Sequence, residues 1–421
     1  MTPSAITAAR LIAMTGLTNL AFWLLWPASL VRMSGSGGDP AAAGLFGSAA
    51  WLAMLSALPI ASRLVASVGP RRVVHAAVAI IAVGAIGTAA SLGGPAEWLW
   101  TALLGFGTGL RWIAADSWIA DTVPPERSGR VLSLGEMVVG VGFAAGPAVA
   151  ALIAASGSTA GPGLGAALLA LIGGAVMTGA VEPARTRRAR PAAPTAGSRL
   201  AGLPTGAALL LLASAALGGL NESGFAGIAA LLSLATGGGE TGSLFAAAAV
   251  GLGSFATQYG LGAAADRWGG CKILLICAAV LAAALATLAL VPEALPLASL
   301  LVGAFGGGLY TVVVVFGLQS RERADGSSGM IGAAALAYTL GTLVAPTLAG
   351  AGLRLAGPAP TLIGLALLAA ALFAAMVRLQ GWRWTDRTRD VGPVCAFRFS
   401  PGSAGPPLDQ GREPSSRSLD G

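Results

Sequence analysis

Gly262-Ala-Ala-Ala-Asp266-Arg267-Trp268-Gly269-Gly270-Cys271-Lys272 places three charged side chains between two uncharged apolar runs, near 242–264 and 273–291. Each run has about the 20 residues that a helix needs to cross the hydrocarbon layer of a bilayer. A short charged turn between two such runs is the pattern of a chain that crosses, turns in water and crosses back. Barrel strands alternate over only about ten residues, so the run length selects helices.

The rest of the chain repeats that pattern. Of 421 residues, 55 % are hydrophobic and 10 % charged, and mean hydropathy is +0.77. Soluble domains carry roughly 25 % charged residues, so this chain must turn most of its surface to lipid. Spans are expected near 6–30, 41–64, 73–92, 98–119, 131–155 and 163–181, then near 205–235, 242–264, 273–291, 297–318, 328–353 and 359–379. The expected fold is all-α and integral to the membrane, with twelve transmembrane helices in two six-helix repeats. The domains read as an N-terminal bundle at 1–181, a Pro/Ala/Arg-rich linker at 182–204, a C-terminal bundle at 205–380 and a disordered tail at 381–421. No cleavable signal pattern precedes the first span.

Orientation follows from the 25 basic residues. With both termini cytoplasmic, all but Arg32, Arg354 and Arg111 fall on cytoplasmic segments, as the positive-inside rule requires. The expected location is the cell (inner) membrane, multi-pass. The net charge of +7 then reports topology, and no basic, aromatic-interleaved face suggests nucleic acid. The expected partners are the lipid bilayer and a small-molecule substrate, with the chain a monomer. One histidine and three scattered cysteines build no metal site or disulfide framework.

The halves repeat each other about two hundred residues apart. Gly16-Leu17-Thr18-Asn19 with Phe22 returns as Gly219-Leu220-Asn221-Glu222 with Phe225, and the loop around Gly69 returns around Gly269. Gly142-x-x-x-Gly146-Pro147 returns as Gly341-x-x-x-Ala345-Pro346, and Ser128-Gly129 as Ser328-Gly329. Two six-helix repeats around a central pathway suit alternating access.

The loop from Gly262 through Asp266, Arg267 and Gly269 to Lys272 fits G-x-x-x-D-R-x-G-x-x-K and closely resembles the cytoplasmic loop signature of the major facilitator superfamily. Gly142, Gly146 and Pro147 resemble that superfamily's antiporter element, with Ala150 and Ala151 where glycines are usual. Asp116-Ser117-Trp118, followed by Pro125-Glu126-Arg127, is similar to a subgroup of bacterial permeases. The first-half loop departs from the signature, with Ala66 and Ser67 at the Asp and Arg positions. An asymmetric latch is therefore expected, with Asp266 near the positive start of span five. The alternative is that Asp266 and Arg267 only make a turn.

Charges inside the spans are the candidates for mechanism, since each costs about 2.5–3.5 kcal/mol near the bilayer centre and should face a cavity or a partner. They are Glu222 in span seven, Arg111 and Asp116 in span four, and Glu136 in span five. In the superfamily that the chain resembles, spans one, four, seven and ten line the cavity. That likeness sets Glu222 opposite its repeat partner Asn19, with Arg111 supplying a cation. Glu222 is the leading protonation site, the alternative being a simple bond to a neighbouring helix. Asp116 and Glu136 serve as further coupling sites or as gate pairs. Arg111 and Asp116 lie roughly 140° apart around a helix and are not expected to pair. Trp23, Trp112 and Tyr310, with Gln258 and Tyr259, are the expected cavity surface, each with an alternative as helix packing or an interfacial anchor.

The resemblance implies a secondary active transporter needing no cofactor and driven by the proton gradient, exporting a small, hydrophobic or amphipathic solute. Uptake and a non-transporting sensor or scaffold stay open. No Walker-type motif supports an ATP-driven pump, and no catalytic cluster supports an enzyme.

Overall fold

The computed structural model describes residues 3–35, 38–123, 125–181, 205–319 and 327–378, and every regular element among them is helical. The first half contains α1 (Pro3–Gly35), α2 (Pro40–Val68), α3 (Pro70–Ala90), α4 (Ala96–Thr122), α5 (Pro125–Ala155) and α6 (Gly161–Val176). The second contains α7 (Thr205–Asn221), α8 (Ser223–Ala235), α9 (Gly239–Trp268), α10 (Gly270–Leu290), α11 (Leu295–Gln319), α12 (Ser327–Leu355) and α13 (Pro358–Arg378). Helices α7 and α8 share one span, so the described helices make twelve crossings, as expected. Ten are long and apolar enough to cross a bilayer by length and composition. The others are α4, which carries Glu97, Arg111, Asp116 and Asp121, and α6, which has 16 residues. The linker at 182–204 and the tail at 381–421 lie outside the described residues.

Turn chemistry explains the sharpest joints. A single residue joins α2 to α3 and α9 to α10, and it is glycine in both, Gly69 (φ 92°) and Gly269 (φ 91°). Only glycine adopts that backbone without strain. The two N–H groups close the preceding helices on Val65 O at 3.1 Å and Ala265 O at 2.9 Å. The repeat read in sequence is thus present in backbone geometry.

Lipid is as apolar as leucine, so helix association inside a bilayer depends on close packing at small residues. A Cβ at Gly105 of α4 would lie 2.8 Å from the Ala50 carbonyl carbon of α2, and one at Gly303 of α11 would lie 2.7 Å from that of Val250 in α9. The two contacts are the same contact in each half. Gly142 and Gly146, on α5 with Pro147, form a groove for the α1 backbone at Leu20 and Trp23.

The halves meet through α2 with α12 and α5 with α9. Described contacts between them gather toward the end carrying Asp39. Arg354 bridges Asp39 at 2.6 Å, Ser48 and Thr347 share a hydrogen bond of 2.7 Å, and Gly44 and Gly47 seat Pro346. Gly251 lies against the backbone of Phe143.

Candidate functional site

Helix α7 stops at Asn221 and α8 starts at Ser223, leaving Glu222 alone between them with φ −95° and ψ −90°. The sequence supplies no proline there. What meets the interruption is the glycine run of α11: a Cβ at Gly306 would lie 2.9 Å from the Asn221 carbonyl carbon, and one at Gly307 would lie 2.8 Å from Glu222 Oε1. The run leaves room first for the backbone, then for the carboxyl group.

Glu222 is 4 % exposed. Ser254 Oγ of α9 donates to Oε1, joined by Gln258 Nε2 at 3.0 Å. Tyr338 of α12 donates its hydroxyl to Oε2 at 2.8 Å. Gln258 also donates to Ser254 Oγ at 2.8 Å, and Ser223 Oγ lies 2.5 Å from the Tyr338 oxygen. Tyr310 of α11 rests against the Tyr338 ring, with centroids 4.5 Å apart. Four elements therefore converge on one buried acid. Among the described residues, every donor to it is uncharged.

The sequence reading had singled out Glu222, Gln258 and Tyr310 but not Ser254, Ser223 or Tyr338. Ser254 was legible in principle, since it lies one turn before Gln258 on the same helix face. Tyr338 is one of only three tyrosines.

Other expected positions fall elsewhere. Asn19 does not face Glu222; its Nδ2 donates to Val139 O at 2.8 Å, because α1 lies in the α5 groove and the amide satisfies a carbonyl there. Arg111 is buried in α4, and its charge acts on Asp116 without a direct ion pair to it among the described contacts. Trp23 is packed, stacking on Phe143 at 4.0 Å within a group that includes Phe22, Trp26 and Trp51. Tyr259 is 84 % exposed and points away from the site that its neighbour Gln258 enters. Trp112 and Tyr310 are half-buried. The side chains of Glu136 and Asp266, and those at 124–133, lie outside the described residues, and the latch contact falls with them. Of its other members, Gly262 is half-buried, Arg267 and Lys272 are exposed, and Gly269 makes the helix joint.

One buried charge pair escaped the sequence reading. Arg32, expected in a loop, lies on the long α1 and bridges Glu97 of α4 at 3.0 Å, with Glu97 fully buried. Ser29 Oγ accepts from the same guanidinium at 2.9 Å, and the Gly93 N–H donates to Glu97 at 2.8 Å.

Comparison with known proteins agrees with this architecture. The family model of the Major Facilitator Superfamily matches residues 11–218. No curated protein matches the chain in sequence. A crystal structure of a D-xylose-proton symporter is similar in fold, with a TM-score of 0.68 and 16 % identity, over 89 % of this chain and 96 % of that one. Residues 11–218 of the 421 thus match the Major Facilitator Superfamily, and the chain shares the fold of the symporter, that of a multi-pass membrane transporter.

Proposed function

We propose that this transporter couples export of a small amphipathic solute to proton entry, with Glu222 carrying the proton. One observation carries the reading: a buried carboxyl at a helix interruption, held by three neutral donors and, among the described residues, by no cation. A carboxylate can accept from all three. Once protonated it must donate, and either the Ser254 or the Tyr338 hydroxyl can turn to accept, because a hydroxyl serves in both senses. An ionised acid in low dielectric is costly without such donors. The proton thus changes a network that ties α8, α9 and α12 together.

With both termini cytoplasmic, the Asp39–Arg354 end faces outward, and this conformation is shut on the outside. Asp116 with Arg111, and Glu136, then belong to the cytoplasmic half as further coupling or gating groups. Export is favoured by the Gly142-x-x-x-Gly146-Pro147 likeness to the antiporter element. Proton-coupled uptake is the second reading, favoured by the fold's likeness to a proton symporter.

A deletion strain complemented with wild-type or Glu222→Gln protein, scored for export of a panel of drugs and metabolites, tests the proposal. Glu222→Gln is expected to remove export at normal protein levels in the membrane. Undiminished export would remove Glu222 from the coupling role.

A further inference from the structure

A buried acid that gains and loses a proton needs a path for it. Three side chains touch the Glu222 carboxyl, and they differ in two properties. Ser254 has a hydroxyl that can relay a proton, but it is fully buried. Gln258 is half-buried and thus nearer the open side, but a neutral amide both accepts poorly and holds its protons. Tyr338 combines the two: the residue as a whole is half-buried, and its hydroxyl donates to Glu222 Oε2 at 2.8 Å while lying 2.5 Å from Oγ of Ser223, a residue that is 5 % exposed. Since Tyr338 donates to Glu222, Ser223 must be the donor to Tyr338. The hydrogen bonds therefore run in one sense, from Ser223 through Tyr338 to the acid.

We infer that Tyr338 is the proton relay through which Glu222 exchanges with water on the open side of the site. The inference rests on the reading of Glu222 as the protonation site. A proton from hydronium reaches the Tyr338 oxygen, directly or by way of the Ser223 hydroxyl, which takes up the hydronium proton as it hands on its own. The phenolic proton meanwhile passes to Oε2, and neutral water is left. One O–H bond forms on Glu222, one breaks on the tyrosine and one re-forms there. The tyrosine ends neutral and the carboxylate is neutralised; release runs the same steps backwards.

The described neighbours of the site come from several elements. From α9 come Ser254 and Gln258, from α11 Gly307 and the second phenol Tyr310, and from the α7–α8 junction Asn221 and Ser223. Helix α1 brings Leu30 and Trp26 against Gly227 of α8. Tyr310 packs on the Tyr338 ring, so removing the Tyr338 hydroxyl alone leaves that ring contact in place.

The experiment uses the full chain in lipid nanodiscs and the proton itself as probe. The infrared carboxyl band that disappears in Glu222→Gln is followed after a rapid drop in pH. Tyr338→Phe is expected to slow the rise of that band by about a hundredfold, the low end of what a positioned proton-transfer group contributes. Ser254→Ala removes a donor from the same carboxyl without touching the path, so it is expected to shift the midpoint of the titration and keep the wild-type rate. Placing 3-fluorotyrosine at position 338, a more acidic phenol of nearly the same size, must also change the rate. A wild-type rate in Tyr338→Phe or with 3-fluorotyrosine, or equal slowing in Tyr338→Phe and Ser254→Ala, would overturn the relay alone. Absence of any band removed by Glu222→Gln would overturn the coupling reading, and the relay with it.

Discussion

The two halves share one packing scheme and treat buried charge in opposite ways. In the first half, the buried acid Glu97 is paired with Arg32 at 3.0 Å. In the second half, Glu222 has only neutral donors among the described residues. The position equivalent to Glu222 in the first half is Asn19, which lies in unbroken helix and satisfies a single carbonyl. A paired charge is fixed in place, because losing either partner strands the other in low dielectric. An acid among hydroxyls can change its charge without stranding anything. The comparison separates the fixed Arg32–Glu97 pair of the first half from Glu222 of the second, the site proposed to carry the proton.

The largest effect should come from breaking a fixed pair. Glu97→Gln leaves Arg32 buried without its counter-ion and is expected to cost about 3–5 kcal/mol, read as a fall in thermal stability, with the pH response of the access equilibrium retained. A pH response lost in proportion to stability would mean that the first half also carries the proton.

The next test compares equivalent glycines. A Cβ at Gly109 would lie 2.5 Å from the Met54 carbonyl oxygen, which is backbone and cannot yield, whereas one at Gly307 meets the movable Glu222 carboxyl. Gly109→Ala should therefore destabilise by about 1–3 kcal/mol through overpacking. Gly307→Ala should cost less stability and instead disturb the Glu222 titration. Equal thermal shifts with unchanged titration would break the distinction.

Smaller still, Asn19→Ala removes one hydrogen bond to Val139 O and should cost about 1 kcal/mol, without altering pH dependence. The smallest effect is expected at Asp39→Asn. That bridge to Arg354 is 38 % and 60 % exposed on its two sides, so it should contribute only about 0–1 kcal/mol to the closed end, less in high salt. A distance measurement across that end would show the shift.

Where the chain crosses was legible because runs without charge have few alternatives, and all twelve runs became helices near their expected bounds. The Gly69 and Gly269 joints were legible because their backbone admits only glycine. The interruption at Glu222 was not legible: Asn221-Glu222-Ser223 contains no proline or glycine, and the room for it is left by Gly306 on α11, in another part of the chain. Arg32 was misplaced because α1 continues to Gly35, past the apolar run that marks its span. The carboxyl itself was conspicuous as an acid amid apolar residues, but its partners were not, since serine is ordinary in a membrane helix where it can bond its own helix backbone. Setting Asn19 opposite Glu222 assumed that repeat symmetry extends to side-chain direction, whereas α1 turns that amide into α5.

The central claim is that protonation of Glu222 shifts the balance between the closed and open forms of the Asp39 end. Leu45 of α2 and Leu355 of α12 are both exposed there, at 54 % and 83 %. Spin labels at these two positions, in protein whose native cysteines are replaced by serine, report the opening directly. The account predicts a distance distribution that changes with pH in the wild-type background and becomes independent of pH in Glu222→Gln. A pH-dependent distribution that survives Glu222→Gln unchanged would contradict it.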